Sequence, residues 1–218
     1  MLTIYCIPGM GVDERLFKNI KLNNCEIRHI KWLTPDKNES LASYAIRLSE
    51  QIDTTRSFAL LGVSFGGMCA VEIAKQLNPV KTFVISSCKT SDQLPLKLTV
   101  WKSFSLYKNM SDKLYIKCAL LVKKAFGVSS GEQAQRFKEM LNAAPKNYFS
   151  GAVYCIMNWK NEIVPSSVVQ IHGTADHVLP IRKIKNAKYI IERGTHFMIV
   201  NRAPEINTII DKELESYL

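Results

Sequence analysis

Residues that can perform nucleophilic catalysis occur in this chain in the order serine, acid, histidine. A serine hydroxyl is a weak nucleophile until a base removes its proton, and the base needs an acidic group to hold its tautomer and stabilise its cation. Ser64, Asp176 and His196 have these residue types and follow in this order. We therefore predict that they form a catalytic triad.

Ser64 lies at the centre of a Gly-x-Ser-x-Gly motif that it forms with Gly62 and Gly66. The apolar run 58–61 before the motif predicts a buried strand, and the apolar spacing over 68–77 after it predicts a helix. A serine between a strand and a helix is the setting of a nucleophile elbow, where the two glycines avoid collisions with the helix and the neighbouring strand. The alternative is a glycine-rich turn that carries a solvated serine.

His196 is the predicted general base because of its place relative to the candidate acid. Among the other histidines, His29 precedes the serine and His172 lies at a strand end. His177 is adjacent to Asp176 in the chain and cannot easily face it. His196 alone follows the acid by a strand and a loop.

Asp176 is the predicted acid because it comes just past the end of the buried strand predicted at 167–171. Open sheets of parallel strands place their sites at the carboxyl ends of the strands. Asp92 comes just after the preceding strand and is the rival candidate. The alternative for Asp176 is a plain turn residue.

A tetrahedral intermediate needs two backbone N–H donors. The predicted donors are Phe65, directly after the nucleophile, and Met10, in the loop after the first strand. Gly9 precedes Met10 and allows the backbone to approach a substrate closely. The alternative is a plain turn at Pro8 and Gly9.

The elements that must position these residues alternate between strand and helix as far as residue 86. Strands are predicted at 3–7, 26–32, 58–61 and 80–86, with a short helix at 12–19 and a longer helix at 39–52. This alternation predicts a parallel sheet with helices on both faces. Strands at 167–171 and 188–192 and a last helix from about Pro204 complete the predicted elements.

The alternation stops between residues 90 and 162, where no strand is predicted. Helical patterns at 96–104, 114–126 and 134–141 indicate a helical insertion that covers the site as a lid. Its aromatic residues line a substrate pocket or pack the insertion onto the body. The predicted substrate-binding residues are Trp101, Phe104, Tyr154, Trp159 and, beside the catalytic histidine, Phe197.

Four segments together resemble the α/β-hydrolase superfamily, and nearly the whole chain takes part. They are Ile7-Pro8-Gly9-Met10-Gly11, Gly62-Val63-Ser64-Phe65-Gly66-Gly67, His172-Gly173-Thr174-Ala175-Asp176-His177-Val178-Leu179-Pro180 and Gly194-Thr195-His196-Phe197. The resemblance implies an α/β-hydrolase fold with a mostly parallel sheet that lacks the first two strands. It also implies a core formed by 1–88 and 163–218 and a helical lid formed by 89–162. Within the superfamily, the chain is similar to small lidded serine esterases and thioesterases, such as the carboxylesterase that cleaves pimeloyl-carrier methyl esters.

The resemblance also implies a reaction, namely acyl transfer to water through an acyl-enzyme, with no cofactor and no metal ion. The family often has His-Gly where this chain has Pro8-Gly9, so the backbone donor is kept and any role of that histidine side chain is lost. The fold hosts other functions as well. Three hypotheses stay open: an esterase of small esters, a thioesterase or esterase that acts on an acidic acyl-carrier protein, and a non-catalytic ligand-binding homologue.

The formal charge of the chain is +10, and most of it lies in the insertion. Residues 89–160 contain twelve Lys and Arg against four Asp and Glu. This excess is either a solvated surface or a docking surface for an acidic acyl-carrier protein. No nucleic-acid-binding motif, membrane-spanning run or signal peptide is recognised, which predicts a cytoplasmic protein with no nucleic-acid partner.

Overall fold

A six-stranded sheet organises the structure, a computed structural model that describes residues 1–95, 110–128 and 131–218. The strands are β1 (Leu2–Ile7), β2 (Cys25–His29), β3 (Phe58–Val63), β4 (Thr82–Ile85), β5 (Val168–Gly173) and β6 (Tyr189–Ile191). The α-helices of the described residues are α1 (Leu41–Ser49), α2 (Phe65–Leu77), α3 (Asp112–Leu121), α4 (Glu132–Asn142), α5 (Tyr148–Asn158), α6 (Met198–Asn201) and α7 (Ala203–Leu214). Short 3₁₀ helices lie at Glu14–Phe17, Ser91–Gln93, Ile181–Lys183 and Glu215–Tyr217.

The strand order is β2-β1-β3-β4-β5-β6, and every neighbouring pair is parallel. The predicted α/β class with its parallel sheet is therefore confirmed. Because all strands run the same way, their carboxyl ends meet at one edge of the sheet. The segments that follow β1, β3 and β5 contain Met10, Ser64 and Asp176, and they all start from this edge.

Strand β3 lies in the middle of the sheet, and its apolar sequence suits that position. All six of its residues, Phe58–Val63, are buried, so both of its faces are covered. Strands of parallel sheets that are buried on both faces have continuous apolar sequences rather than alternating ones. The edge strand β2 is only half-buried or exposed, which fits its more polar sequence.

The helices that flank the elbow follow the predicted apolar spacing. In α1, the side chain of Ser40 caps the amino terminus by accepting a hydrogen bond from the Ser43 N–H. Four residues of α1 face the core, and they are Leu41, Tyr44, Ala45 and Leu48. Helix α2 ends at Leu77, and the next residue, Asn78, has a left-handed conformation and is followed by Pro79.

Two predicted helices need correction. The helix predicted at 12–19 is a four-residue 3₁₀ helix, Glu14–Phe17, and the helix predicted at 114–126 ends at Leu121 and continues as turns. Helix α5 was not predicted, because its sequence is apolar on nearly all sides and has hardly any polar face. The helix predicted at 96–104 lies outside the described residues.

The segment between β4 and β5 contains α3, α4 and α5, and polar bonds join its two ends. The side chain of Asn161 is buried, and its amide donates to the Lys89 carbonyl at 2.8 Å. Its side-chain oxygen accepts from Lys75 of α2 at 2.9 Å. These bonds connect the start and the end of the segment to the elbow helix. The boundaries predicted for the lid, 89–162, stay a prediction.

No helix among the described residues is long and apolar enough to cross a bilayer. The cytoplasmic location stays a prediction.

Candidate active site

Ser64 occupies a sharp turn between β3 and α2. Its backbone has φ 53° and ψ −120°, and its N–H donates to the Ile85 carbonyl at 3.0 Å. A positive φ is uncommon for a residue other than glycine, and such strain is concentrated at functional sites. The turn holds the serine at the carboxyl edge of the sheet, as the predicted elbow requires.

The two glycines of the motif allow close backbone contacts on either side of Ser64. A Cβ atom on Gly62 would lie 2.3 Å from the Gly66 carbonyl oxygen of α2. A Cβ atom on Gly66 would lie 2.2 Å from the Pro8 oxygen and 2.3 Å from the Ile7 oxygen, at the end of the neighbouring strand β1. Both positions exclude any side chain, because backbone atoms cannot move aside. These contacts are the collisions that the sequence predicted.

The structure places the three predicted triad residues in one chain of hydrogen bonds. Ser64 Oγ lies 2.9 Å from His196 Nε2, and His196 Nδ1 lies 2.8 Å from Asp176 Oδ2. This geometry favours the tautomer in which Nδ1–H donates to the carboxylate and Nε2 accepts from the serine hydroxyl. In that tautomer, His196 is positioned to take the serine proton.

Backbone N–H groups fix the other oxygen of the acid. Asp176 Oδ1 accepts from the N–H groups of Val178 and Leu179, at 2.9 and 2.8 Å. Burial raises the pKa of Asp176, but the charge of His196 and the hydrogen bonds from His196 and the Leu179 N–H outweigh burial and hold the pKa below its ordinary value. The acid is therefore ionised at neutral pH and can stabilise a histidine cation.

His172 is a member of this cluster to which the sequence assigned no role. Its ring is fully buried, and its Nε2 lies 2.8 Å from the Leu179 carbonyl and 3.5 Å from Asp176 Oδ2. Burial lowers the pKa of His172, so the ring is neutral and Nε2–H donates to Leu179. The hydrogen bond closes the loop that presents the acid. Its position four residues before Asp176 was the only sequence signal.

The competing candidates for the acid and the base make other contacts. Asp92 is exposed and pairs with Lys185 at 2.7 Å rather than with a histidine. His177 is exposed at the surface, and His29 is exposed and stacks on Phe17 with ring centroids 5.7 Å apart.

The two predicted oxyanion donors lie beside the serine. Phe65 is the first residue of α2, so its N–H has no acceptor within the helix. A Cβ atom on Gly9 would lie 3.7 Å from the Cβ of Ser64, so the loop that contains Met10 passes next to the nucleophile. Met10, Phe65 and Ser64 line the same cavity.

This cavity has a volume of about 280 Å³ and an almost wholly apolar wall. No Lys, Arg, Asp or Glu of the described residues lines it. The insertion contributes much of the wall, including Tyr115, Ala119, Phe126, Phe137 and Phe149. Phe126 also meets His196 edge-on with ring centroids 5.5 Å apart, so the insertion covers the predicted base.

The structure describes three of the five aromatic residues that were predicted to bind substrate. Phe197 lines the cavity, whereas Tyr154 and Trp159 do not. Trp159 instead packs the insertion onto α2, because its Nε1–H donates to the buried carboxylate of Glu72 at 2.7 Å. Trp101 and Phe104 lie outside the described residues.

Four aromatic residues of the insertion line the cavity but were not among the predicted substrate-binding residues, and they are Tyr115, Phe126, Phe137 and Phe149. Of these, Tyr115 lies four residues before Ala119 on α3, and both face the cavity. This i, i+4 spacing was a usable sequence signal.

Solved structures with this architecture are numerous, although sequence similarity is low. No family model matches the chain, and no curated protein matches its sequence significantly. MenH from S. aureus superimposes with a TM-score of 0.76 at 16% identity, over 99% of this chain and 94% of that chain. A thermophilic esterase from Thermogutta terrifontis gives a TM-score of 0.70 at 13% identity, over 99% and 90%. ClbQ from the colibactin NRPS/PKS pathway gives 0.66 at 13% identity, over 99% and 97%.

At these identities the similarity establishes the architecture and leaves the chemistry to be argued from the site. The protein has the α/β-hydrolase fold.

Proposed function

We propose that the protein is a serine hydrolase that cleaves a carboxylic ester or thioester with an uncharged, largely apolar acyl group. The observation that carries the proposal is the hydrogen-bonded series Ser64–His196–Asp176, together with the apolar cavity that Ser64 lines. A non-catalytic binder has no need of a buried acid behind a histidine that meets a strained serine.

The proposed reaction has two halves. In the first, His196 Nε2 takes the proton of Ser64 as Oγ attacks the carbonyl carbon, and the N–H groups of Met10 and Phe65 bind the resulting oxyanion. His196 then protonates the leaving alcohol or thiol, and Ser64 keeps the acyl group. In the second half, water gives a proton to His196, attacks the acyl-enzyme and releases the carboxylic acid. Ser64 regains its proton and no other reactant is consumed.

The cavity wall defines the acyl group. A charged substrate group buried there would meet no oppositely charged Lys, Arg, Asp or Glu among the described lining residues, and an unpaired buried charge is strongly disfavoured. The volume of about 280 Å³ lies just below the usual range for ligand pockets, about 300–1,000 Å³. We therefore expect short to medium aliphatic or small aromatic acyl groups.

The charge of the insertion favours a second candidate function, hydrolysis of an acyl group that is carried by an acyl-carrier protein. Three of its acids are neutralised locally: Asp92 by Lys185, Glu132 by Arg136, and Glu139 by Arg15. In contrast, four lysines around α3 form no ion pair with another described residue, and they are Lys113, Lys117, Lys123 and Lys124. The same helix lines the cavity, so an acidic carrier docked on it would lie close to Ser64.

A panel of p-nitrophenyl esters and matched acyl thioesters tests the proposal. Butyrate and hexanoate esters should turn over at least tenfold faster, by kcat/KM, than esters whose acyl chain ends in a carboxylate. Ser64→Ala serves as the control and should hydrolyse none of them above background. Equal rates for charged and uncharged acyl groups would contradict the assigned acyl site, and no turnover of any member would favour a non-catalytic binder.

A further inference from the structure

Trp32 follows β2 and holds the loop that contains a proposed oxyanion donor. Its Nε1–H lies 2.9 Å from the carbonyl oxygen of Val12 and 3.3 Å from that of Gly9. These two carbonyls bracket Met10 in the loop. One indole N–H therefore ties down both ends of the segment from which Met10 would bind an oxyanion.

The ring of Trp32 also contacts the second proposed donor. It stacks on Phe65 with ring centroids 5.3 Å apart and an interplanar angle of 27°. On its other sides it meets Tyr44, at 6.2 Å, and Tyr148 of the insertion, at 5.6 Å. Trp32 is thus in direct contact with the segments that carry both donors.

The loop needs such a support because little else within it fixes its shape. A single turn hydrogen bond, from the Val12 N–H to the Gly9 carbonyl at 3.1 Å, closes the segment internally. Two of its four residues are glycines, and Gly11 has φ 72°, in the left-handed region. An oxyanion donor is effective only when it is aimed in advance at the place where charge develops.

Trp32 acts from behind the loop rather than on a substrate. It lines a second cavity of about 250 Å³ together with Pro8 and Val12, and it is not part of the wall around Ser64. Val12 contributes to both cavities, so the loop forms the partition between them. A change at Trp32 can therefore alter the donor geometry without removing any contact to the acyl group.

We propose that Trp32 is a positioning residue that sets the geometry of the oxyanion hole, an inference that rests on the hydrolase function proposed above. Trp32→Phe keeps an aromatic ring but removes the N–H that binds Gly9 and Val12. It should lower kcat on p-nitrophenyl butyrate by about 10- to 100-fold, since misplacing one donor approaches the loss of a donor. KM should stay within about twofold, because the acyl cavity is intact.

Tyr44→Phe is the matched control from the same aromatic cluster. Tyr44 also stacks on Trp32 and Phe65, but its hydroxyl donates to the Leu33 carbonyl at 2.7 Å, outside the loop. Both variants lose one side-chain donor to the backbone, and only the donor of Trp32 binds the carbonyls on either side of Met10. Tyr44→Phe should therefore keep kcat within about twofold of the parent.

A third variant protects the test against a general packing defect. In it, Trp32 is replaced by 3-benzothienylalanine, in which sulfur takes the place of the indole N–H at nearly unchanged ring size. This variant should show the same fall in kcat as Trp32→Phe, with an unfolding midpoint close to that of the parent. Unchanged kcat in this variant, or an equal fall in Tyr44→Phe, would overturn the proposal. The hydrolase function would fail separately, if Ser64→Ala kept the activity of the parent.

Discussion

At the scale of single residues, the candidate site depends on how one carboxylate is held. One oxygen of Asp176 receives two backbone N–H groups and the other receives His196, so the acid has a fixed direction and a depressed pKa. Neutral His172 donates to the Leu179 carbonyl of the same loop at 2.8 Å. In the proposed reaction, Asp176 therefore orients His196 and does not take a proton itself.

Replacing that acid by its neutral isostere tests the assignment. Asp176→Asn should lower kcat by about 10⁴-fold, because an amide favours the wrong tautomer of His196 and cannot stabilise its cation. Asp92→Asn is the control, since Asp92 pairs with Lys185 at the surface, and it should stay within about twofold of the parent. Steady-state kinetics on one ester decide between them. A dead Asp92→Asn beside an active Asp176→Asn would reverse the assignment.

Residue order and local context were sufficient to predict which residues the structure brings together at Ser64, but they could not predict the cavity wall. A motif specifies its own backbone geometry, as the glycines beside Ser64 illustrate. Whether Trp159 or Phe137 faces the cavity depends on how the insertion helices rotate and pack, which no local pattern records. Trp159 proved to be held by Glu72, a partner 87 residues away.

At the scale of elements, the elbow joins β3 to α2 with no space for side chains at its glycines. The structure shows the same feature in the loops of the acid and the base, where a Cβ atom on Gly173 would lie 2.1 Å from the Gly194 carbonyl oxygen. Close backbone contacts therefore hold the segments that contain Ser64, Asp176 and His196 against neighbouring segments. The positions of the three side chains follow from these contacts.

Gly66→Ala should destabilise the protein severely. The new Cβ atom would lie 2.2 Å from the Pro8 oxygen, a backbone atom that can move only if β1 shifts. The expected loss is about 3 kcal/mol or more, which corresponds to a fall of about 6–12 °C in the unfolding midpoint for a chain of this size.

Gly9→Ala is the matched control for this measurement. Its Cβ atom would meet no neighbour closer than 3.5 Å, so we expect thermal unfolding close to that of the parent. The packing account of the elbow is wrong if Gly66→Ala unfolds at the parental temperature.

Element types followed from periodicity where one face of the element is polar, as in α1 and α7. Periodicity did not predict α5, whose sequence has hardly any polar face. It also predicted too late an end for α3, where turns continue the chain after Leu121. Strand order was also accessible, because alternating strands and helices leave few alternatives to a parallel sheet.

At the scale of the whole molecule, the insertion that carries most of the positive charge also forms part of the cavity wall. The insertion carries most of the net charge of +10, and its helix α3 contributes Tyr115 and Ala119 to the cavity while exposing Lys113 and Lys117. A partner attracted to these lysines would deliver its acyl group next to Ser64. A simply solvated surface would have no effect on turnover.

A salt series separates these alternatives. For a substrate borne by an acidic carrier protein, kcat/KM should fall steeply with salt, because screening weakens electrostatic steering. For p-nitrophenyl butyrate it should change little. One variant neutralises the basic surface by Gln at Lys113, Lys117, Lys123 and Lys124. Its control carries Gln at four exposed lysines outside the insertion, which are Lys21, Lys31, Lys37 and Lys212.

Only the first variant should flatten the salt dependence for the carrier-borne substrate. Parallel salt responses for both substrates, or equal flattening by both variants, would eliminate the carrier and leave a hydrolase of small esters.

The most direct test of the central claim is covalent labelling of Ser64. A fluorophosphonate should add one label to the parent protein by intact mass, and peptide mapping should place that label on Ser64. Ser64→Ala, checked for folding by its unfolding midpoint, should take up no label and lose at least about 10⁴-fold in ester turnover. A label on another residue, or a folded Ser64→Ala that still hydrolyses esters at the parental rate, would contradict the account.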